Sequence, residues 1–292
     1  MKPILRISVL ILCLSLVTGL AAQPKKVTYY ADPAAIPADL PVALHHLDAT
    51  VSFMPAGNRV ISTSVFTFSP NRYKTDSIIF YTPGFIINSV LMDGKPVEWN
   101  LLNPSLIIYP RNFPLVKDKS YKLTITCEAM PPSGHIYFIG WRPEEAGKIK
   151  QVWAHRPHGW LPYIDGRITV DMKITFDRNY KVFSNGERIS VKRNPDGTAT
   201  WHYRMTKNHP YFSTSLVIGD YDYKTAKTKR GVPLEFWYYR GMDDKVGPTY
   251  KYTAEMFEFF EWEMGVDYPY PLYREAPVID YMYGAMETTT AT

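Results

Sequence analysis

From Leu47 to about Thr228 the chain repeats one pattern: apolar and polar residues alternate with a period of two, in short runs closed by Pro, Gly, Asn or Asp. Successive side chains on a strand point to opposite faces, whereas a helix needs apolar residues three and four apart. The pattern opens in "LDATVSF" and returns in "RVISTSVFTFS" across an Ala56-Gly57-Asn58 turn. It continues in "DSIIFYTP", in "INSVLMDGKPVEWN" with an Asp93-Gly94 hairpin turn, in "PSLIIYP" and in "SYKLTITCEA". After an irregular stretch from Pro131 to Pro162 it resumes in "RITVDMKITFD", "YKVFSNGERISVK", "TATWHYRMT" and "STSLVIGDYDYKT", with a turn at Asn194-Pro195-Asp196-Gly197. Short strands at even spacing predict a mainly β protein built on an antiparallel β-sandwich over residues 46–228. Its boundary is expected at "KTKRGVP", where charge, Gly231 and Pro233 interrupt the pattern.

Residues 229–292 read differently. "LEFWYYR" is a strand, and Thr253, Met256, Phe257, Phe260 and Met264 recur at helical spacing within Tyr250 to Met264. A Pro-broken loop then leads into "VIDYMYGAMETTTAT", read as a strand. One strand, one helix and one strand cannot close a core, so this part is expected to be the truncated start of an α/β domain. At the other end, Lys2 and Arg6 precede an apolar run from Ile7 to Val17 and the small residues Gly19, Ala21 and Ala22. Residues 1–22 are therefore read as a secretory signal peptide, and export to the periplasm, the cell surface or the exterior is expected, with no membrane span after cleavage. Residues 23–45, rich in Pro, are read as an extended linker.

Composition narrows the chemistry. The 33 Lys and Arg against 28 Asp and Glu are scattered, so the formal net charge of +5 does not indicate a nucleic-acid partner. Removal of the leader takes Cys13 and leaves Cys127 alone in a strand, a small buried hydrophobe with no disulfide partner. His155 and His158 are separated by Pro157, and adjacent His45 and His46 in a strand should face opposite ways, so neither pair is read as a metal site. Glu144-Glu145, Asp243-Asp244 and Glu258, Glu261 and Glu263 read as solvated surface. There is no phosphate loop and no G-x-S-x-G, and Ser184 in "FSNGE" reads as a turn residue. Aromatic residues make up 15% of the chain, and their strand runs read as cross-strand packing, with a glycan-binding face as the alternative.

Two landmarks carry a resemblance. "GVDYPYPLYREAPVIDYMYGAMETT", with Gly265, Tyr268-Pro269-Tyr270 and Gly284-Ala285-Met286-Glu287, resembles the opening of the catalytic domain in the aminopeptidase N family of zinc peptidases, with Thr288 in place of the usual Asn. Upstream, Gln151, Pro162, Asp165 and Ser184-Asn185-Gly186 are similar in order and spacing to the family's second landmark. Trp153 stands where relatives often carry Glu or Gln. The resemblance implies an N-terminal β-sandwich saddle followed by a thermolysin-like domain. It also implies a substrate-binding set of Gly284, Ala285, Met286 and Glu287, with Gln151 nearby. The Gly-Ala-Met-Glu backbone would hold a peptide in β fashion while Glu287 meets its N-terminal ammonium. Zinc is implied for the complete family member, on a helix bearing H-E-x-x-H. No H-E-x-x-H occurs in these 292 residues and the last histidine is His209, so the chain is expected to be an inactive front part of a longer peptidase. A noncatalytic β-sandwich module that binds peptide or glycan is the competing expectation.

Overall fold

The computed structural model of the protein describes residues 40–292. The signal peptide read at 1–22, and the part of the linker at 23–39, lie outside the described residues. The linker reading ends too late, because the first strand, Val42–Met54, already begins within it.

An eight-stranded sheet forms the base. From edge to edge it runs Glu187–Arg193, Thr198–Pro210, Arg167–Asp177, Val42–Met54, Arg59–Pro70, Tyr121–Ala129, Phe85–Met92 and Lys95–Pro96. Every neighbouring pair is antiparallel except the third, where Val42–Met54 runs parallel to Arg167–Asp177. The antiparallel expectation is corrected at that pair. Alternation specifies which face a side chain takes, not the direction of the strand beside it, and a parallel neighbour requires a long crossover. Here most of the intervening chain forms that crossover.

Over one face of this base lie a three-stranded sheet (Ile78–Tyr81, Ser105–Tyr109, Glu98–Leu102) and a four-stranded sheet (Lys181–Ser184, Leu216–Gly219, Gln151–Ala154, Tyr137–Ile139). Phe66, Phe68, Phe80, Leu106, Ile125 and Ile174 meet between them as one core. Each such side chain taken fully from water contributes roughly 1.5–3 kcal/mol. Cys127 belongs to this core as a buried hydrophobe beside Ser62 Oγ at 3.3 Å, and burial pushes its thiol up to about 11.

The four-stranded sheet is buried on both faces. Val152, Ala154, Val182, Leu216 and Ile218 point into the main core. Their strand neighbours Trp153, Phe183 and Val217 point the other way and pack on Tyr221 and Trp237. Those two belong to a third sheet, Tyr221–Lys227, Pro233–Tyr239 and Tyr273–Glu275. The stretch read as a domain boundary is the turn of the first hairpin of this sheet, closed by Gly231 N donating to Thr228 O at 2.9 Å. On its outer side Leu234 and Phe236 pack against two helices, α1 (Asp243–Tyr250) and α2 (Thr253–Met264). The helix expected over 250–264 is α2, and α1 before it is a second one that the sequence reading did not include. α1 carries Gly247 and Pro248, which conceal it from a propensity reading, while Asp243 and Asp244 in its first turn suit the positive end of its dipole. Gly265 ends α2 in the left-handed region, φ 63°.

α2 does not bury the face that its spacing suggests. Phe257 alone of the expected set packs inward, whereas Met256, Phe260 and Met264 are more than half exposed, as are Phe259 and Trp262. The carboxylates expected in solvent turn to the body of the protein: Glu261 accepts from Arg230 Nε at 3.3 Å and from Tyr268 N at 2.7 Å, and Glu258 lies 2.7 Å from Lys229 Nζ.

Candidate functional site

Gln151 opens the strand Gln151–Ala154 and is buried. A side-chain amide offers two donors and one acceptor, and here each is used. Its Oε1 accepts from Ile279 N at 2.9 Å. Its Nε2 donates to the hydroxyls of Tyr239, at 2.9 Å, and of Tyr221, and both hydroxyls in turn donate to Pro277 O. Trp153, two residues on and on the same face, donates from Nε1 to Ile279 O at 2.9 Å. Gln151 and Trp153 thus grip the backbone of 277–279 much as a neighbouring strand would. Burial pushes the Tyr221 phenol well above its ordinary range and raises that of Tyr239, so both hydroxyls stay protonated donors.

Beyond the grip, 276–292 contains no strand, and the expected strand through Gly284-Ala285-Met286-Glu287 is corrected: those four residues are irregular. A ladder needs a partner, and among the described residues no backbone hydrogen bond engages Gly284 or Ala285. Asp280 and Thr290 take positive φ, 60° and 64°, and turn the chain. The segment then folds back onto the β domain. Asn185 Nδ2 donates to Thr289 O at 2.5 Å, Gly186 N donates to Thr290 Oγ1 at 2.7 Å, and Thr292 N donates to Arg274 O at 3.0 Å. The Ser184-Asn185-Gly186 landmark is the receptor for this return. Gly186 is required there, with φ +78° and a position at which a Cβ would lie 2.1 Å from Arg204 O.

The returning segment and the four-stranded sheet enclose a cleft of about 400 Å³. Trp153, His155, Leu216 and Val217 form one wall, Glu275 to Val278 the floor, and Tyr281, Tyr283, Gly284, Ala285 and Met286 the other wall. Three of the sequence-derived binding residues, Gly284, Ala285 and Met286, thus come together at the cleft. The other two do not: Gln151 is spent behind the wall, and Glu287 is exposed and lines no part of it. Trp153 stacks face to face on Tyr137, with centroids 3.8 Å apart, and meets Tyr281 edge-on at 5.5 Å.

Two titratable residues of the cleft escaped the sequence reading in this role. Burial, with Arg156 adding to it, lowers the His155 imidazole, and its Nδ1 is enclosed without a hydrogen-bond partner. Burial raises the Glu275 carboxyl, which accepts from Thr253 Oγ1 at 3.5 Å. His155 was visible as the residue two after Trp153 on the same alternation; nothing local marked Glu275. The cleft therefore offers aromatic walls, unpaired backbone and two shifted groups suited to an extended peptide. One imidazole and one carboxylate do not make the three-ligand set of a catalytic zinc, so among the described residues the cleft does not complete a site for the zinc of the resembled family.

No family model matches the sequence, and no curated protein matches it. Solved structures do match the fold. The M1 zinc metallopeptidase from Deinococcus radiodurans superposes with a TM-score of 0.71 at 18% identity, over 86% of this chain and 59% of its own. A point mutant of an M1 zinc metallopeptidase from the same organism, bound to a Tyr-Ser-Ala substrate, and a two-domain M1 zinc metallopeptidase mutant bound to L-arginine match equally, each over 60% of its length. The chain thus spans about three-fifths of the structures it matches. Over that length it has the mainly β fold of M1 zinc metallopeptidases.

Proposed function

We propose that this chain is the amino-terminal part of an exported zinc-dependent aminopeptidase, in which the cleft bounded by Trp153 and Gly284 to Met286 receives the first residues of a peptide. The observation that carries this reading is one cleft lined both by Gly284 to Met286 and by Trp153, which follows Gln151 on the same strand, in a fold shared with M1 peptidases. Unpaired backbone at Gly284 and Ala285 is suited to pairing with an extended substrate. Glu287 lies outside the cleft lining, but its charge reaches Tyr281 of the wall, and in the complete domain this reading gives its carboxylate to the substrate ammonium. The apolar outer face of α2 is the kind of surface that further helices of a finished α/β domain cover. The zinc helix belongs to the length not spanned here, so these 292 residues alone have no hydrolytic activity. Residues 1–22 direct export.

The test is to read the source gene in frame beyond the codon for Thr292, for H-E-x-x-H and a later Glu, and to assay the longest product on aminoacyl amides. Zinc-dependent release of the first residue, with kcat/KM reduced by Glu287→Gln, is expected. A stop codon at that point, with peptide or glycan binding by the chain as it stands, would replace the peptidase reading by that of a binding module.

A further inference from the structure

The outer face of the eight-stranded sheet carries a polar cluster at its parallel pair. The register sets Asp48 directly opposite Asp171, an arrangement of like charges that a sheet tolerates only with compensation. A β-bulge between Leu44 and His46 shifts the parity of the strand. Leu44 and Leu47 both remain in the core, and His45 and His46 both leave it, contrary to the alternation expected for an adjacent pair. His46 consequently shares a face with Asp48: its Nε2 lies 3.5 Å from Asp48 Oδ2 and 3.8 Å from Asp171 Oδ2.

The hydrogen bonds around His46 assign its tautomer. Thr169 Oγ1 donates to His45 O at 3.0 Å, so at 2.7 Å it accepts from His46 Nδ1. That leaves the Nε2 lone pair of a neutral ring pointing toward two carboxylates. On the far side of Asp171, His202 Nε2 and Arg204 Nε donate to the carboxylate, Arg204 at 2.9 and 3.0 Å. One net negative charge remains among Asp48, Asp171 and Arg204. One imidazole and two carboxylate oxygens, all mutually within 4.8 Å, form a three-donor set with its ring partner already in place. Three donors at roughly 2.0–2.2 Å from a tetrahedral ion lie roughly 3.3–3.6 Å apart, close to the 3.5 and 3.8 Å from His46 Nε2 to the two carboxylates.

We infer that His46, Asp48 and Asp171 bind one divalent transition-metal cation, zinc by preference, as a staple across the parallel strand pair. The preference follows from the mixed imidazole and carboxylate donors at separations that suit a tetrahedral ion, the geometry zinc adopts and divalent copper disfavours. The role follows from position: the staple joins strands whose paired residues, such as His46 and Thr169, are 123 positions apart, and a clip closing so long a loop stabilises the folded chain.

The experiment uses the full chain, stripped with EDTA, dialysed and titrated with ZnCl2 by calorimetry, with melting followed in parallel. One zinc per chain and a Tm that rises with zinc concentration are expected. His46→Gln and Asp48→Asn should lose both effects while retaining the wild-type circular dichroism spectrum in EDTA. Thr169→Val should bind about 10- to 100-fold more weakly, and His45→Gln should bind normally. X-ray absorption at the zinc edge of the wild-type protein gives an answer that does not depend on any variant folding: one imidazole and oxygen donors are expected. Absence of zinc binding to the wild type, binding unchanged in His46→Gln and Asp48→Asn, or two or more imidazoles at the metal would each overturn the assignment.

Discussion

Arg274 tests whether the third sheet is held to the β domain by packing alone or by a buried charge. It is 2% exposed, and its Nε donates to Glu235 Oε2 at 2.7 Å. Its Nη1 donates to Gly186 O and, at 3.4 Å, to Ser184 O, so one guanidinium joins the third sheet to the turn that receives residues 288–292. Glu235→Gln leaves that charge buried against a neutral acceptor, and removing one partner of a buried pair costs about 3–5 kcal/mol. Arg274→Met fills comparable volume but strands Glu235 with only Trp237 Nε1, at 3.0 Å, and leaves two buried carbonyls without their donor, for a similar loss. The double variant removes both charges, so the two losses should not add, and a coupling of roughly 1–3 kcal/mol should appear in the cycle. Urea unfolding followed by tryptophan fluorescence reads each free energy, the midpoint falling at unchanged slope. Strictly additive losses, or singles that each cost less than about 1 kcal/mol, would refute the buried-pair argument.

Four further outcomes follow from the geometry. Burial holds the His209 imidazole down at about 4, below its ordinary 6.5, so the unfolded state takes up this proton first. The stability it contributes is full above pH 6.5 and is lost as pH falls toward 4; at pH 5 the wild type should have lost about 2 kcal/mol more than His209→Asn, measured by urea midpoints at pH 7 and pH 5. Gln151→Ala removes the amide's share of the grip on 277–279, and chymotrypsin should then cut near the exposed Met282 and Tyr283 markedly faster; an unchanged cutting rate would mean that Trp153, the two tyrosine hydroxyls and residues 288–292 suffice to hold the segment. Gly186→Ala combines a positive φ with a backbone clash and should cost about 2–4 kcal/mol in the same urea assay, whereas Met256→Lys with Phe260→Glu on the exposed face of α2 should leave stability within about 0.5 kcal/mol and reduce self-association in sedimentation velocity.

The candidate site was legible in its landmarks but not in its roles. Gly284, Ala285 and Met286 line the cleft together with Trp153, which the sequence marked only as a departure from the family's Glu or Gln. Gln151 occupies the right strand, yet its amide is consumed by Ile279 and by the two tyrosines, partners far away in the sequence. Nothing near Glu275 marks it as a cleft residue either, because it is the packing of the third sheet on its neighbour that buries it.

The sequence by itself determined where strands run and which side chains share a face, because alternation, turn residues and Gly at Gly186 and Gly265 are properties of a few neighbouring residues. Tertiary structure decided what those local patterns leave open. It set the parallel direction of Val42–Met54 beside Arg167–Asp177, and with the bulge it placed His45 and His46 on one side. It chose the face of α2 that turns inward, through Lys229 and Arg230 meeting Glu258 and Glu261. It also left "YGAME" without a ladder, since a period of two gives a segment the form of a strand but cannot supply the neighbour whose hydrogen bonds would make it one.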